Sequence, residues 1–148
     1  MALEEKINAE IKTAMLSKDS KRLEALRGIK AEILLLKSSE KGSSEEAENK
    51  AMLKMVKQRK EAAEIYVTQN RPELAEAELF QAGVIESFLP KQMSSDELQA
   101  AVKEILASVG TTSMADMGKA MGVATKQLAG KAEGKAISEM VKKLLSGN

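Results

Sequence analysis

The sequence predicts an all-α protein, and three observations lead to this prediction. Apolar residues recur every three or four positions along almost the whole chain, no stretch alternates with period two, and β-branched residues are sparse. The length of 148 residues suits one domain or two small ones. Pro90 should end one helical pattern, and a new capping signal follows it at Ser94. We therefore expect two helical modules, a four-helix module over residues 1–90 and a three-helix tail module over residues 94–148.

The first module should open with two amphipathic helices. Their inward stripes are Leu3, Ile7, Ile11 and Ala14 in the first helix, and Leu26, Ile29, Ile33 and Leu36 in the second. Asp19 or Ser20 is the expected N-cap of the second helix, because short polar side chains accept hydrogen bonds from the free N–H groups of a first turn. The loop residues 38–44 then interrupt the pattern.

Two more helices should complete this module. Ser43 and Glu46 have the spacing of a capping box, which predicts a third helix from there to about Gln69. Pro72 suits the first turn of a fourth helix, and Pro90 should end it, because proline removes a backbone donor. The inward residues of the third helix are Met52, Val56, Ala63 and Tyr66, and those that broaden the apolar side of the fourth are Leu79, Phe80 and Phe88.

Capping residues and a glycine at a helix end also divide the second module into predicted helices. Ser94 and Glu97 form a capping box, Gly110 fits just beyond the end of that helix, and Ser113 with Asp116 predicts the start of the next one. The inward stripes of the three helices are Leu98, Val102 and Ile105; then Met114, Met117, Met121, Ala124 and Leu128; then Ile137, Met140, Val141 and Leu144. We expect the methionines to be core residues, and the alternative is that they form a plastic docking groove.

Composition excludes several classes of chemistry. The chain has no His, no Cys and no Trp, so it lacks the usual residues of catalytic triads, thiolate nucleophiles and Cys/His zinc sites. We therefore expect no catalytic residues, no metal and no cofactor. The three aromatic residues cannot form a platform for unpaired bases. The sequence shows neither a signal peptide nor an apolar run of about 20 residues, so a cytoplasmic protein without a membrane partner is expected.

Two glycines within the sixth helix are unusual, because Gly118 and Gly122 each cost up to about 1 kcal/mol relative to alanine in a helix interior. With Ala115, Thr125 and Ala129 they form a stripe of small residues. The stripe allows either a tight internal helix contact or the close approach of an external backbone, from a helix or from a nucleic acid.

The same tail is basic although the net charge of the chain is only +1. Residues 119–148 carry six lysines against Glu133 and Glu139, whereas residues 1–118 carry 17 basic and 20 acidic residues. The loop from Gly130 to Gly134 precedes a helix N-terminus, which is a favourable position for phosphate, although solvated surface lysines are the alternative. The candidate binding residues are Gly118, Lys119, Gly122, Lys126, Gly130, Lys131, Gly134 and Lys135.

A second set of basic candidates lies in the first module: Arg27, Lys57, Arg59 and Lys60. Arg59 falls within the apolar stripe of its helix, between Val56 and Ala63. Arginines at such positions snorkel or pair with a carboxylate, here Glu24 or Glu64, and phosphate contact is the alternative.

Four strings of the sequence resemble a known family. Leu26–Ala31, Lys57–Tyr66 and Ile85–Ser94 resemble the bacterial YqeY-like family, as does the tail from Met117–Gly122 through Gly130–Gly134. This tail is also similar to the C-terminal tail of GatB, the B subunit of the glutamine-dependent tRNA amidotransferase. The first resemblance covers essentially the whole chain, and the second concerns only the helical end of a much longer subunit.

These resemblances imply a helical fold in two modules and a role connected with tRNA. GatB converts misacylated glutamyl- or aspartyl-tRNA to the amide form in an N-terminal domain that this chain lacks, and its helical tail is associated with tRNA recognition. The implied partners are tRNA, a tRNA-dependent amidotransferase or an aminoacyl-tRNA enzyme, and any carbon–nitrogen ligase activity would belong to GatB. The alternatives are a protein–protein adaptor using the small-residue stripe, or an accessory subunit of a glutamine-dependent carbon–nitrogen ligase.

Overall fold

The computed structural model describes residues 2–39, 44–110 and 113–147, and these residues form seven α-helices and no strand. The helices are α1 (Leu3–Leu16), α2 (Ser20–Ser38), α3 (Glu45–Thr68), α4 (Pro72–Glu86), α5 (Ser95–Val109), α6 (Met117–Gln127) and α7 (Gly134–Leu145). A short 3-10 turn, Met114–Asp116, precedes α6. The all-α prediction is confirmed. Among the helices described here, none is long and apolar enough to cross a membrane.

The chain divides into two compact units, which we call unit 1 (Met1–Pro90) and unit 2 (Lys91–Asn148). Unit 1 contains α1 to α4, in which α1 packs on α2 and the hairpin of α3 and α4 packs against α2. Unit 2 contains α5, α6 and α7, each of which packs against the other two. Each unit has a hydrophobic core of its own.

The core of unit 1 follows the predicted stripes closely. Its buried residues are Ile7, Ala14, Ala25, Leu26, Ile29, Ile33, Met52, Val56, Ala82, Val84 and Ile85. The exception is on α4, where Leu79 and Phe80 are 51% and 41% exposed instead of extending the apolar side into the core. Phe80 lies nearly opposite the buried Ala82 but one turn before the buried Val84, so it flanks the buried side of α4 instead of facing the core.

Polar caps position the helix starts in unit 1. Asp19 caps α2 by accepting a hydrogen bond from the Arg22 N–H at 3.2 Å, which selects the first of the two predicted caps. Ser44 caps α3 by accepting from the Ala47 N–H at 3.1 Å, while the predicted cap Ser43 lies outside the described residues. Helix α3 then ends at Thr68, within one residue of the predicted end.

The end of α4 differs from the prediction. The helix stops at Glu86 rather than continuing to Pro90, and the next residues form tighter turns. The Phe88 N–H donates to the Ile85 carbonyl at 3.0 Å, and the Leu89 N–H donates to the Glu86 carbonyl at 3.0 Å. Proline disfavours the α conformation in the residue before it, so its effect on the helix begins upstream of the ring itself.

Unit 2 contains one predicted cap that forms and one that does not. Ser94 Oγ accepts from the Glu97 N–H at 3.2 Å, and Glu97 Oε1 accepts from the Ser94 N–H at 3.0 Å, so this capping box is confirmed. Gly110 ends α5 in the left-handed conformation, with φ of 76°. Ser113 is the N-cap residue of the 3-10 turn, but the predicted side-chain cap is absent: the Asp116 N–H donates to the Ser113 backbone carbonyl at 3.1 Å.

The core of unit 2 forms where the three helices meet. Its buried residues are Leu98, Val102, Ile105, Leu106, Ala120, Ala124, Leu128, Ile137, Val141 and Leu145. Met117, Met121 and Met140 are partly buried against this core, as predicted, but Met114 is exposed. Two small residues, Ala120 and Ala124, are the buried residues of α6, and this side of the helix therefore lies close to its neighbours.

Candidate functional site

Four of the candidate residues lie together on the outward side of α6. They are Gly118, Lys119, Gly122 and Lys126, and every one is exposed. The buried Ala120 and Ala124 lie on the other side of the helix. Seven residues of α-helix advance by about 10.5 Å, so Lys119 and Lys126 are separated by roughly two turns, with Gly122 between them. We call this surface the glycine–lysine arc of α6.

The two glycines of this arc have open space in front of them. A Cβ atom built on Gly118 or Gly122 would meet no atom of the described chain within 4 Å. The interpretation of these glycines as a tight internal helix contact is therefore wrong for the described residues. Their small size leaves the backbone of α6 accessible from outside unit 2.

The loop between α6 and α7 is fixed to the segment that precedes α5. Gln92 Nε2 donates to the Gly130 carbonyl at 2.6 Å, and the Met93 N–H donates to the Lys131 carbonyl at 2.9 Å. Gly130 is buried with φ of 79°, a left-handed conformation that favours glycine. The sequence predicted accessible N–H groups in this loop, but the Lys131 N–H donates to the Leu128 carbonyl at 3.0 Å. The loop therefore presents the exposed Lys131 side chain rather than its amide.

The last two candidates begin α7. Gly134 is the first residue of this helix and Lys135 the second, and both are exposed. The first turn of α7 has no acidic residue. The N-cap of the helix is Glu133, whose carboxylate offsets part of the positive potential that the helix dipole and the Lys135 ammonium group create there. Farther along, Lys142 and Lys143 are also exposed, with Glu139 as the acidic residue on the outward side.

The candidates in unit 1 are differently placed. Arg59 Nη1 donates to Glu78 Oε2 on α4 at 3.0 Å, and Lys60 Nζ lies 3.0 Å from Glu86 Oε1. The predicted structural role of Arg59 is confirmed, but its partner is Glu78 rather than Glu24 or Glu64. The remaining two, Arg27 and Lys57, are exposed. Unit 1 thus holds Arg59 and Lys60 in ion pairs with α4.

Ion pairs join several charged residues of unit 1. Their partners are Arg22 with Glu10, Lys37 with Glu4, Lys50 with Glu46, Arg59 with Glu78, Lys60 with Glu86, and Arg71 with Glu73. Within the described part of unit 2, none of the six lysines from 119 to 143 forms an ion pair. The local charge of the tail is therefore presented to solvent.

Apart from Lys131, which borders a groove of about 290 Å³ with Gln127 and Leu128, the candidate residues lie on an outer surface. The groove of about 470 Å³ between the start of α5 and α7 has an apolar floor, formed by Met93, Leu98 and Met140, with Glu139 and Lys143 at its rim. None of the eight candidate residues lines it. Small ligands favour concave sites that surround them, whereas an outer basic surface suits a large anionic partner.

Nothing in the described residues supports a metal centre. No group of three or more Asp or Glu side chains in them is arranged to hold a metal ion. The carboxyls with displaced pKa values have structural causes. Hydrogen bonds from the Ser94 backbone and hydroxyl lower the pKa of Glu97, and a hydrogen bond from Arg71 lowers that of Glu73.

Comparison with known proteins identifies the family of the chain. The family model described as Yqey-like protein matches residues 4–145, which is nearly the whole sequence. No curated protein sequence matches the chain. The matched range includes both units and all eight candidate residues of unit 2. The chain therefore belongs to the YqeY-like family.

Proposed function

We propose that unit 2 binds the phosphate backbone of folded tRNA, and that the protein works beside a tRNA-modifying enzyme without a catalytic site of its own. One observation carries this proposal. Six exposed lysines follow one another from α6 to α7, and none of them is paired with a carboxylate in the described part of unit 2. Cations of this kind are available to phosphates and release condensed counterions when they bind.

The glycine–lysine arc suits contact with a nucleic-acid backbone. Lys119 and Lys126 extend beside a stretch of α6 at which Gly118 and Gly122 leave the helix backbone uncovered. A phosphate chain can approach such a surface closely while both ammonium groups reach its oxygens. Such contacts position an RNA by its shape and charge rather than by its bases.

The link to amide transfer rests on the resemblance of the tail to that of GatB. Under this proposal, the partner enzyme is a tRNA-dependent amidotransferase or an aminoacyl-tRNA enzyme, which would supply the reacting groups. Addition of the full chain to an amidotransferase reaction at limiting tRNA should then change its rate. An unchanged rate over a range of protein concentrations would argue against that partner while leaving tRNA binding open.

Charge reversal in unit 2 tests the proposal directly. In the variant K119E/K131E/K135E, tRNA binding should weaken, and the slope of log affinity against log salt should fall by about two to three, because each phosphate contact contributes roughly 0.7–0.9. A filter-binding titration between low and moderate salt measures both quantities.

The matched control reverses three exposed lysines of unit 1, in the variant K12E/K21E/K54E. It changes the net charge of the chain equally, so it should retain the slope if the contacts lie in unit 2. Equal losses in the two variants would mean that overall charge governs binding. Absence of salt-sensitive tRNA binding by the wild-type chain at low ionic strength would refute the proposal.

The open glycine face favours one further candidate function, a docking surface for a helix of another protein. Under this alternative, a protein partner captured by the wild-type chain should survive nuclease treatment and be lost in the variant G118L/G122L. A Cβ has open space at both positions, so circular dichroism should show a folded variant. Retention of that partner by a folded G118L/G122L variant would exclude docking at this face.

A further inference from the structure

The cationic residues of unit 2 are all lysines. The four arginines of the chain, Arg22, Arg27, Arg59 and Arg71, belong to unit 1, as do its three aromatic residues, Tyr66, Phe80 and Phe88. Unit 2 therefore presents ammonium groups without a guanidinium plane or an aromatic ring. This division decides which features of an RNA the unit can recognise.

Lysine and arginine recognise RNA differently. Sequence-specific recognition of RNA uses unpaired bases that stack on aromatic rings or on arginine planes and expose their edges. A lysine ammonium is a compact charge that binds phosphate but offers no plane for stacking. Base-paired RNA also keeps its base edges in a deep, narrow major groove that side chains cannot read.

Unit 1 offers few exposed groups that could stack on bases or bind their edges. Arg22, Arg59 and Arg71 pair with Glu10, Glu78 and Glu73, respectively. Tyr66 is half-buried, and Phe88 packs against the core of unit 1. The exposed guanidinium and aromatic groups of unit 1 are Arg27 on α2, Arg71 at the start of α4 and Phe80 on α4; the Arg71 side chain is 58% exposed within its surface pair with Glu73.

Among the described residues of unit 2, glutamine is the other side chain whose amide can make paired hydrogen bonds to a base. The Gln92 amide donates to the Gly130 carbonyl and helps to hold the loop. Gln99 lies on α5 and is half-buried. Gln127 is the last residue of α6 and is exposed next to Lys126, so a base contact by its amide would appear as a preference for one stem sequence.

From these placements we infer that the RNA ligand of unit 2 is the backbone of base-paired stems irrespective of their sequence, so that the identity of the tRNA must be read by a partner. This inference rests on the proposed function. It specifies the part of the tRNA that is bound: paired stems, in which two strands bring their phosphates close together, rather than unpaired loops.

A competition experiment with the full chain tests this inference. Labelled tRNA is displaced by two RNA stem-loops with equal numbers of base pairs and the same loop but unrelated stem sequences, and by an oligouridylate with the same number of phosphates. The two stem-loops should compete within about threefold of each other, since one forked contact to a base already discriminates by about fivefold or more. The oligouridylate should be at least about threefold weaker, because unpaired strands have the lower charge density and find no aromatic platform.

A conservative variant checks the three exposed groups of unit 1. The variant R27K/R71K/F80L keeps the charge and the apolar character but removes both guanidinium planes and the ring. It should bind both stem-loops within about threefold of wild type, because none of these groups is required for phosphate contact. A loss of more than about tenfold confined to one stem-loop would overturn the inference by demonstrating base recognition in unit 1.

The remaining outcomes separate this inference from the proposed function. A wild-type preference of more than about tenfold for one stem sequence, or equal competition by oligouridylate, would overturn the inference while tRNA binding itself remained. Absence of salt-sensitive binding to every RNA, tRNA included, would remove the proposed function and the inference together. Equal competition by the two stems with weak competition by oligouridylate would support both.

Discussion

Unit 1 and unit 2 bury the same kinds of residue but differ in whether their cations form ion pairs. In unit 1, cations such as Arg59 and Lys60 are joined to carboxylates on a neighbouring helix. In unit 2, the lysines of α6 and α7 face solvent without an ion pair in the described residues. The comparison teaches that the number of cations matters less than their pairing, because a cation held by a carboxylate is less available to a ligand.

The two cores should respond alike to a large truncation. Ile29 in unit 1 and Ile137 in unit 2 are 0% and 1% exposed. We expect I29A and I137A each to lower the free energy of unfolding by about 2–5 kcal/mol, because each leaves a cavity in a packed interior. Denaturant titration followed by circular dichroism measures this, with L16A as an exposed control that should change stability by less than about 0.5 kcal/mol. A loss below about 1 kcal/mol in one unit would contradict equivalent packing.

The sequence predicted these cores well because helical periodicity identifies the inward side of a helix before its neighbours are known. The stripes of α1 and α2, including Ile7 and Ile29, became the core of unit 1. Periodicity failed at Phe80, where the width of the buried side depended on which neighbouring helices α4 meets. Local pattern alone does not contain that information.

The candidate site was predictable in part for the same reason. The pattern placed Gly118 and Gly122 on one side of a helix, but only the packing of α6 shows that this side is open. The partner of Arg59 was missed because Glu78 is distant in sequence and comes close only when α3 and α4 pack together. Residue type and spacing therefore identified the candidates, while their exposure and pairing depended on tertiary structure.

The two predicted caps of unit 2 provide the next test. Replacement S94A should lower the free energy of unfolding by about 1 kcal/mol, since it removes the hydroxyl that accepts from the first turn of α5. Replacement S113A should have almost no effect, because the Ser113 side chain makes no cap hydrogen bond. Thermal unfolding of the two variants measures the contrast. Equal losses would mean that α6 also relies on a side-chain cap.

The capping box should also make the free energy of unfolding depend on pH in the acidic range. Hydrogen bonds from the Ser94 backbone and hydroxyl lower the pKa of the Glu97 carboxyl below that of an ordinary glutamate. A carboxyl with a lowered pKa in the folded state stabilises the fold above the pKa of the unfolded chain, and this contribution is lost as the pH falls through the folded-state value. Unfolding of E97Q should therefore depend less on pH in the acidic range than that of wild type. An identical pH profile for the two proteins would exclude this contribution.

The ion pairs of unit 1 allow a direct comparison of a paired and an unpaired cation. The side chains of Arg59 and Glu78 are 37% and 18% exposed, so their pair is partly shielded from solvent. We expect R59M to lower the free energy of unfolding by about 1 kcal/mol, and K126M, on the glycine–lysine arc, to change it by less than about 0.5 kcal/mol. A double-mutant cycle with E78Q isolates the pair from lost packing. A coupling energy near zero would show that pairing does not distinguish the units energetically.

The smallest expected effect concerns the glycines of α6. Replacements G118A and G122A should each raise the free energy of unfolding by about 0.4–1 kcal/mol, because alanine restricts the unfolded chain and its Cβ has open space here. Gly110 is the matched control, since its φ of 76° makes alanine unfavourable there and G110A should be destabilising. Denaturant titration of the three variants decides whether the arc is open in solution, and a loss of stability in G118A or G122A would show that it is not.

If both variants are more stable but bind tRNA or a protein partner less well, the glycines serve a contact outside unit 2. Unchanged binding in the stabilised variants would mean that the lysines, and not the glycines, account for the contact with the partner.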